Sequence, residues 1–124
     1  PKAFMLPLGN KGMRKARAQF ACNYFACAGF EVEDSIGFDL VEKGIEAAIN
    51  AKADIIVICS SDQEYPEFAK EVYDKLQYHG ILVIAGYPKA LLEEIKAVGI
   101  NHFVHARTNI VDDLKKYQLE LGVE

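Results

Sequence analysis

Short runs of apolar, often β-branched residues alternate along this chain with longer stretches whose apolar residues recur every three or four positions. Runs of the first kind predict strands, and stretches of the second kind predict amphipathic helices. The five predicted strands are Lys2–Leu8, Phe30–Asp34, Ile55–Cys59, Ile81–Ala85 and His102–Ala106. The five predicted helices are Lys11–Ala28, Asp39–Asn50, Glu64–His79, Pro88–Val98 and Asn109–Leu121.

Strict alternation of strands and helices requires a parallel sheet with right-handed crossover connections. Five such units in 124 residues suit a three-layer, doubly wound α/β fold of the flavodoxin-like type, with strand order 2-1-3-4-5 and five helices. The run Ile55–Cys59 is apolar on both faces, as a central parallel strand should be. Pro7 falls near the end of the first strand, where a proline is tolerable only if strand pairing stops there.

The predicted helices carry recognisable end signals. Gly29 follows the first helix and Gly80 follows the third, as helix C-termini prefer. Pro66 falls in the first turn of the third helix, where a missing N–H group costs little. Asp39, with Glu42 three residues further on, resembles a capping box at the start of the second helix.

The first helix has an apolar stripe at helical spacing. It is formed by Met13, Ala16, Phe20, Tyr24 and Ala28. We expect Met13 to pack as the first apolar residue of this helix. The large side chains of the stripe are then expected to fill a crevice at the end of the sheet.

Length and composition narrow the classes of partner. A chain of 124 residues that is 51% hydrophobic fits one domain, residues 1–124, with a substantial core. The net charge is −4 and the 14 basic residues form no long stripe, which argues against nucleic-acid binding. The longest apolar run, Ile55–Cys59, is far shorter than the ~20 residues of a membrane helix, and no signal peptide is evident. Because the chain begins at Pro1, we expect it to have been excised from a longer one.

Cysteine and histidine positions indicate neither a disulfide framework nor a metal site. The three cysteines, Cys22, Cys27 and Cys59, are an odd number without framework spacing, which indicates a reducing, cytoplasmic compartment. We interpret them as packed, inert thiols. His102 and His105 are three residues apart on a predicted strand, so they lie on opposite faces and cannot hold one metal ion together.

In this architecture a ligand binds outside the carboxyl ends of the strands, where the strand order reverses. The loops expected there are Gly9–Arg14 and Ser60–Gln63, flanked by Gly86–Pro88 and Arg107–Asn109. The first loop has two glycines, a lysine and a helix N-terminus, so it could cradle an anion. It matches neither the P-loop nor the dinucleotide-binding spacing, and a plain tight turn is the favoured interpretation.

A phospho-acceptor receiver domain has the same layout but needs clustered carboxylates at these loops to hold Mg²⁺. Here Asn10, Lys11 and Arg14 follow the first strand, and Asp62 stands alone after the third. That function is set aside, and no catalytic residue can be named from the sequence.

The loop after the first strand resembles a mutated version of a cobalamin-binding motif. Cobalamin-binding domains of the methylmalonyl-coenzyme A mutase group carry Asp-x-His-x-x-Gly at this place. In them the histidine replaces the nucleotide base below the cobalt, and the aspartate orients the histidine. In this chain Lys11, Met13 and Ala16 occupy the three motif positions, while the glycines Gly9 and Gly12 are kept.

Two further loops follow the family pattern with changes. Ser60–Asp62 stands where the family has Ser-x-Leu, with a charge at the leucine position. Ala85-Gly86 stands where the family has Gly-Gly, and the bulky Tyr87 follows it. The stretches Gly29–Val32, Cys59–Tyr65 and Ala85–Lys89 resemble the C-terminal domain of the small (beta) subunit of two-subunit methylmalonyl-CoA mutases. The resemblance covers essentially the whole chain.

The resemblance implies a structural role in a heterodimer with the large subunit, which holds the adenosylcobalamin and catalyses the isomerisation. This domain itself is then expected to bind no cobalamin or metal and to contribute no catalytic residue. The vestigial loop residues are Gly9, Lys11, Gly12, Met13, Ser60 and Gly86. One alternative is a working cobalamin module that keeps the cofactor's own lower base attached. A more distant alternative is a flavin or phosphate binder, although the first loop lacks the hydroxyl-rich pattern of a flavin phosphate site.

Overall fold

A computed structural model of the protein describes residues 2–34, 37–76, 79–86 and 88–104. The strands are β1 (Lys2–Pro7), β2 (Glu31–Glu33), β3 (Ile55–Cys59), β4 (Ile81–Ala85) and β5 (His102–Val104). The helices are α1 (Lys11–Cys27), α2 (Val41–Ala51), α3 (Tyr65–Leu76) and α4 (Leu92–Val98). Short 3₁₀ turns precede α3 (Asp62–Glu64) and α4 (Lys89–Leu91). The predicted helix Asn109–Leu121 and the end of the last predicted strand lie outside the described residues.

The strands form one parallel sheet in the order β2-β1-β3-β4-β5, which confirms the predicted fold class. Its central strand β3 is fully buried along its length. Side chains of α2, α3 and α4 pack on one face of the sheet, and side chains of α1 pack on the other. This is the doubly wound arrangement, in which the connections from β1 and from β3 leave to opposite faces.

Pro7 is the last residue of β1, and the ladder between β1 and β2 has already ended before it. The pairing of β1 with β2 ends at the residue pair Phe4 and Glu33, whereas the pairing of β1 with β3 continues to Pro7. The next N–H group, that of Leu8, donates to Cys59 O of β3 at 2.9 Å. Since successive main-chain N–H groups point to opposite sides of a strand, the nitrogen of Pro7 faces the side that β2 has left. On that side the carbonyl of Pro7 accepts from Phe38 N–H at 3.0 Å, and the missing N–H of Pro7 interrupts no strand ladder.

The predicted capping box at the second helix is wrong. Helix α2 begins two residues later, with Leu40 in the capping position and no side-chain hydrogen bond to the helix. The carboxylate of Asp39 lies instead 3.7 Å from the guanidinium group of Arg14. Glu42 is exposed in the first turn of α2, where its charge favours the helix dipole.

The inward face of α1 also differs from the predicted stripe. Its buried residues are Arg14, Ala18, Ala21, Tyr24 and Phe25. Met13 is 38% exposed and Ala16 is exposed as well, so the expectation that Met13 packs inward was wrong. The helix is turned so that its alanines face the sheet and Phe25 meets Phe30 edge-on, with ring centroids 5.4 Å apart. Small residues allow this close approach of helix and sheet.

None of the helices among the described residues has the length and apolar character that a membrane crossing requires.

Candidate functional site at the carboxyl edge of the sheet

The predicted ligand loops meet at the carboxyl ends of β1, β3 and β4. Of the predicted site residues, Gly9, Ser60 and Gly86 lie at these strand ends, and Ser60 and Gly86 are buried. Lys11, Gly12 and Met13 lie on the exposed first turn of α1. The structure therefore brings together the three strand-end residues and leaves the three helical ones facing away from the core.

The carboxylate of Glu64 holds the loop after β1 and the loop after β3 together. Oε1 of Glu64 accepts hydrogen bonds from the N–H of Asn10 (2.9 Å), the hydroxyl of Ser61 (2.6 Å) and the hydroxyl of buried Ser60 (3.3 Å). The Ser61 hydroxyl is the main cause that lowers the pKa of Glu64 below its usual 4.5, helped by Asn10 and Ser60 and opposed by burial. The carboxylate is thus held in its charged form.

Gly9 makes room for this carboxylate. Its φ of +75° is a left-handed value that favours glycine. A methyl group built on Gly9 would overlap the carboxylate of Glu64. The flanking glycine kept in this loop therefore serves an internal contact.

An arginine from α1 crosses the ends of β3 and β4. Arg17 Nη2 lies 2.8 Å from Oδ1 of Asp62, and Arg17 Nη1 donates to the carbonyl of Ala85 at 2.8 Å. Its guanidinium carbon lies 5.9 Å from the centre of the Tyr65 ring, within cation–π range. A methyl group on Gly86, whose φ is +143°, would overlap Arg17 Nη1.

Tyr65 also links the ends of β3 and β4. Its side chain is fully buried, and its hydroxyl accepts from Ser60 N–H at 3.0 Å and donates to the carbonyl of Ala85. Burial raises the pKa of the Tyr65 hydroxyl. The Tyr65 hydroxyl thus both accepts and donates within the protein, and these two bonds link the ends of β3 and β4.

Arg14 fastens the loop before α2 to the loop after β1. Its buried guanidinium donates to the carbonyls of Gly9 (3.4 Å) and Phe38 (3.3 Å). Gly37, with φ of +125°, lets this side chain pass, since a methyl group there would lie 2.6 Å from Arg14 Nε. Two arginines of α1 thus serve internal contacts at this edge.

Within the described ranges, no group of three or more histidine, cysteine, aspartate or glutamate side chains could hold a metal ion. Arg17, Glu64 and Tyr65 were not predicted as site residues from the sequence, and Arg14 was included only as the last residue of the expected loop Gly9–Arg14. Only Glu64 had a usable signal, the spacing Ser61-x-x-Glu64 before a helix, which is typical of a capping box.

The three cysteines differ in exposure. Cys59 is buried, Cys22 is half-buried and Cys27 is exposed, so the expectation of three packed thiols was wrong for Cys27. Burial, with Asp34 as a second cause, raises the pKa of Cys22 to about 11. Burial also raises the pKa of Cys59.

Comparison with known proteins identifies relatives of this chain. No family model matches it. It is 44% identical over 123 residues to the methylmalonyl-CoA mutase small subunit of Porphyromonas gingivalis, a match that covers 99% of this chain and 20% of that protein. The chain is homologous to a segment of methylmalonyl-CoA mutase small subunits. A probable methylmalonyl-CoA mutase small subunit of Mycobacterium tuberculosis is 28% identical over 124 residues, covering 98% of this chain and 20% of the relative. The chain thus spans about a fifth of the length of these curated relatives.

Solved structures support the fold assignment. The Vibrio cholerae chemotaxis protein CheY4 is 22% identical and superimposes with a TM-score of 0.60, covering 95% of this chain and 96% of that one. At this level of identity the likeness shows the shared fold alone.

Proposed function

We propose that this mutase-subunit segment is a degenerate cobalamin-binding-like domain that binds no cobalamin. In this proposal it is the C-terminal domain of the small subunit. It supports the large catalytic subunit that interconverts methylmalonyl-CoA and succinyl-CoA. The observation that carries the proposal is that Glu64 and Arg17 bridge the loops between which a ligand of this fold would enter. Homology with named small subunits supports the subunit assignment.

The residue at the histidine position of the family motif supports the proposed loss of cobalamin binding. Met13, at the histidine position, is 38% exposed on the first turn of α1. Among the described residues, His79 precedes β4 and His102 begins β5, so both lie toward the opposite end of the sheet. A lysine at the aspartate position cannot orient an imidazole as a carboxylate does.

The space between the loops gives a second line of support. Glu64 joins the segment after β3 to the loop after β1, and Arg17 joins α1 to the segment after β3 and to the end of β4. A cofactor tail between these loops would have to displace hydrogen-bonded charges and expose the buried hydroxyl of Ser60. Leaving such groups unpaired costs about 1–3 kcal/mol each.

In this proposal the adenosylcobalamin belongs to the large subunit, with which the small subunit forms a cytoplasmic heterodimer. The three free cysteines of the described residues are in keeping with a reducing compartment. The net charge of −4 is in keeping with a protein partner rather than a nucleic acid.

Cofactor binding is tested by a visible-absorbance titration of the purified protein with adenosylcobalamin, alongside equilibrium dialysis. The control is a cobalamin-binding domain that carries the complete Asp-x-His-x-x-Gly motif. We expect the control to retain cobalamin and this protein to retain none at millimolar ligand. Retention with an unchanged spectrum would replace the proposal by the base-on alternative. A spectrum with the lower base displaced would mean that a side chain of this protein ligates the cobalt.

Subunit association is tested by co-expressing the complete small subunit that contains this domain with a tagged large subunit. We expect the two to co-purify in equal amounts and the pair to have mutase activity. A small subunit that folds but never associates with the large subunit would contradict the proposed role.

A further inference from the structure

We draw no further inference here: the strongest candidate, the surface patch at the carboxyl edge of the sheet where α1 and α2 begin and the side chains of Lys11, Met13, Lys15 and Leu40 are exposed, carries nothing because nothing in the structure shows what covers it.

Discussion

Gly9 and Gly86 let two charged side chains lie against the main chain at the carboxyl edge. Both have left-handed φ values, +75° and +143°, and at each a methyl group would overlap a neighbouring charged group. At Gly9 the neighbour is Glu64, and at Gly86 it is Arg17. These glycines are therefore required by contacts within the protein, whatever their role in relatives that bind a ligand.

Replacing Gly86 by alanine should therefore destabilise the protein. We expect a loss of about 2 kcal/mol in the free energy of unfolding, from backbone strain and displacement of Arg17. The matched control is Gly12→Ala, because Gly12 lies in the first turn of α1 and a methyl group there meets only Asn10 Oδ1 at 3.6 Å. The control should gain about 0.5 kcal/mol from helix propensity. Urea unfolding of both variants measures the difference, and equal stabilities would contradict the role given to Gly86.

The depressed pKa of Glu64 predicts how its contribution depends on pH. Its pKa lies below the usual 4.5 in the folded protein, so its carboxylate adds stability above that value. This contribution is lost as the pH falls through the folded-state pKa. The stability difference between wild type and Glu64→Gln should therefore be largest near neutral pH and shrink below about pH 4. Urea unfolding at a series of pH values tests this, with Glu67→Gln as the exposed control. A difference that grows in acid would show that the carboxylate is not stabilised by these donors.

At the scale of elements, the strands could be predicted well and the orientation of α1 could not. The run Ile55–Cys59 is β-branched and apolar on both faces, and the sheet buries it entirely. Helix α1 offers two overlapping apolar faces, one starting at Met13 and one containing Ala18, Ala21 and Phe25. Packing against the sheet selects the second face, because alanines allow a close approach and buried Arg14 finds carbonyl partners. Periodicity alone does not distinguish the two faces, since both have helical spacing.

The side-chain contacts of the candidate site could not be predicted from the sequence, because they also depend on tertiary packing. Arg17 meets Asp62 and Ala85 across separations of 45 and 68 residues. No local pattern connects these positions, which are brought together only by the order of strands in the sheet. The site loops themselves could be predicted, because the alternation of strands and helices determines which loops reach the carboxyl edge.

The orientation of α1 also predicts the reactivity of the cysteines. Cys27 is exposed near the end of α1, whereas Cys22 is half-buried with a pKa raised to about 11, and Cys59 lies in buried β3. Because the thiolate is the reactive form, a disulfide reagent at pH 8 should label Cys27 first, Cys22 slowly and Cys59 only on unfolding. Counting thiols that react with and without urea tests this order. The Cys27→Ser variant should lack the fast phase, and a fast phase that survives in it would contradict the assignment.

At the scale of the whole molecule, the described strands differ in burial: the central strand β3 is fully buried, and the edge strand β2 is partly exposed. Strand β3 is fully buried and pairs on both sides with β1 and β4, while β2 has three residues and pairs with β1 alone among the described strands. Helices on both faces cover the centre. We therefore expect the free energy of local opening to be highest at the buried strand β3 and to decrease toward β2.

Amide hydrogen exchange measures that gradient directly. We expect the amides of β3 to exchange only through global unfolding and those of β2 to exchange through local opening, orders of magnitude faster. Exchange followed by mass spectrometry or NMR at neutral pH distinguishes the two strands. Equal protection of β2 and β3 would show that the sheet opens only as a single unit.

The interlocking of Arg17, Glu64 and Tyr65 makes the proposed loss of cofactor binding hard to reverse one residue at a time. A graft of the family motif, Lys11→Asp with Met13→His and Ala16→Gly, would change only the exposed side of α1. It would leave the bridges from Glu64 to Asn10 and from Arg17 to Asp62 in place. Each bridge depends on its own partners, so removing them singly exposes unpaired groups before any ligand is there to meet them. Under the proposed function, a lineage carrying this domain would therefore pass through several destabilised intermediates before it could bind the cofactor.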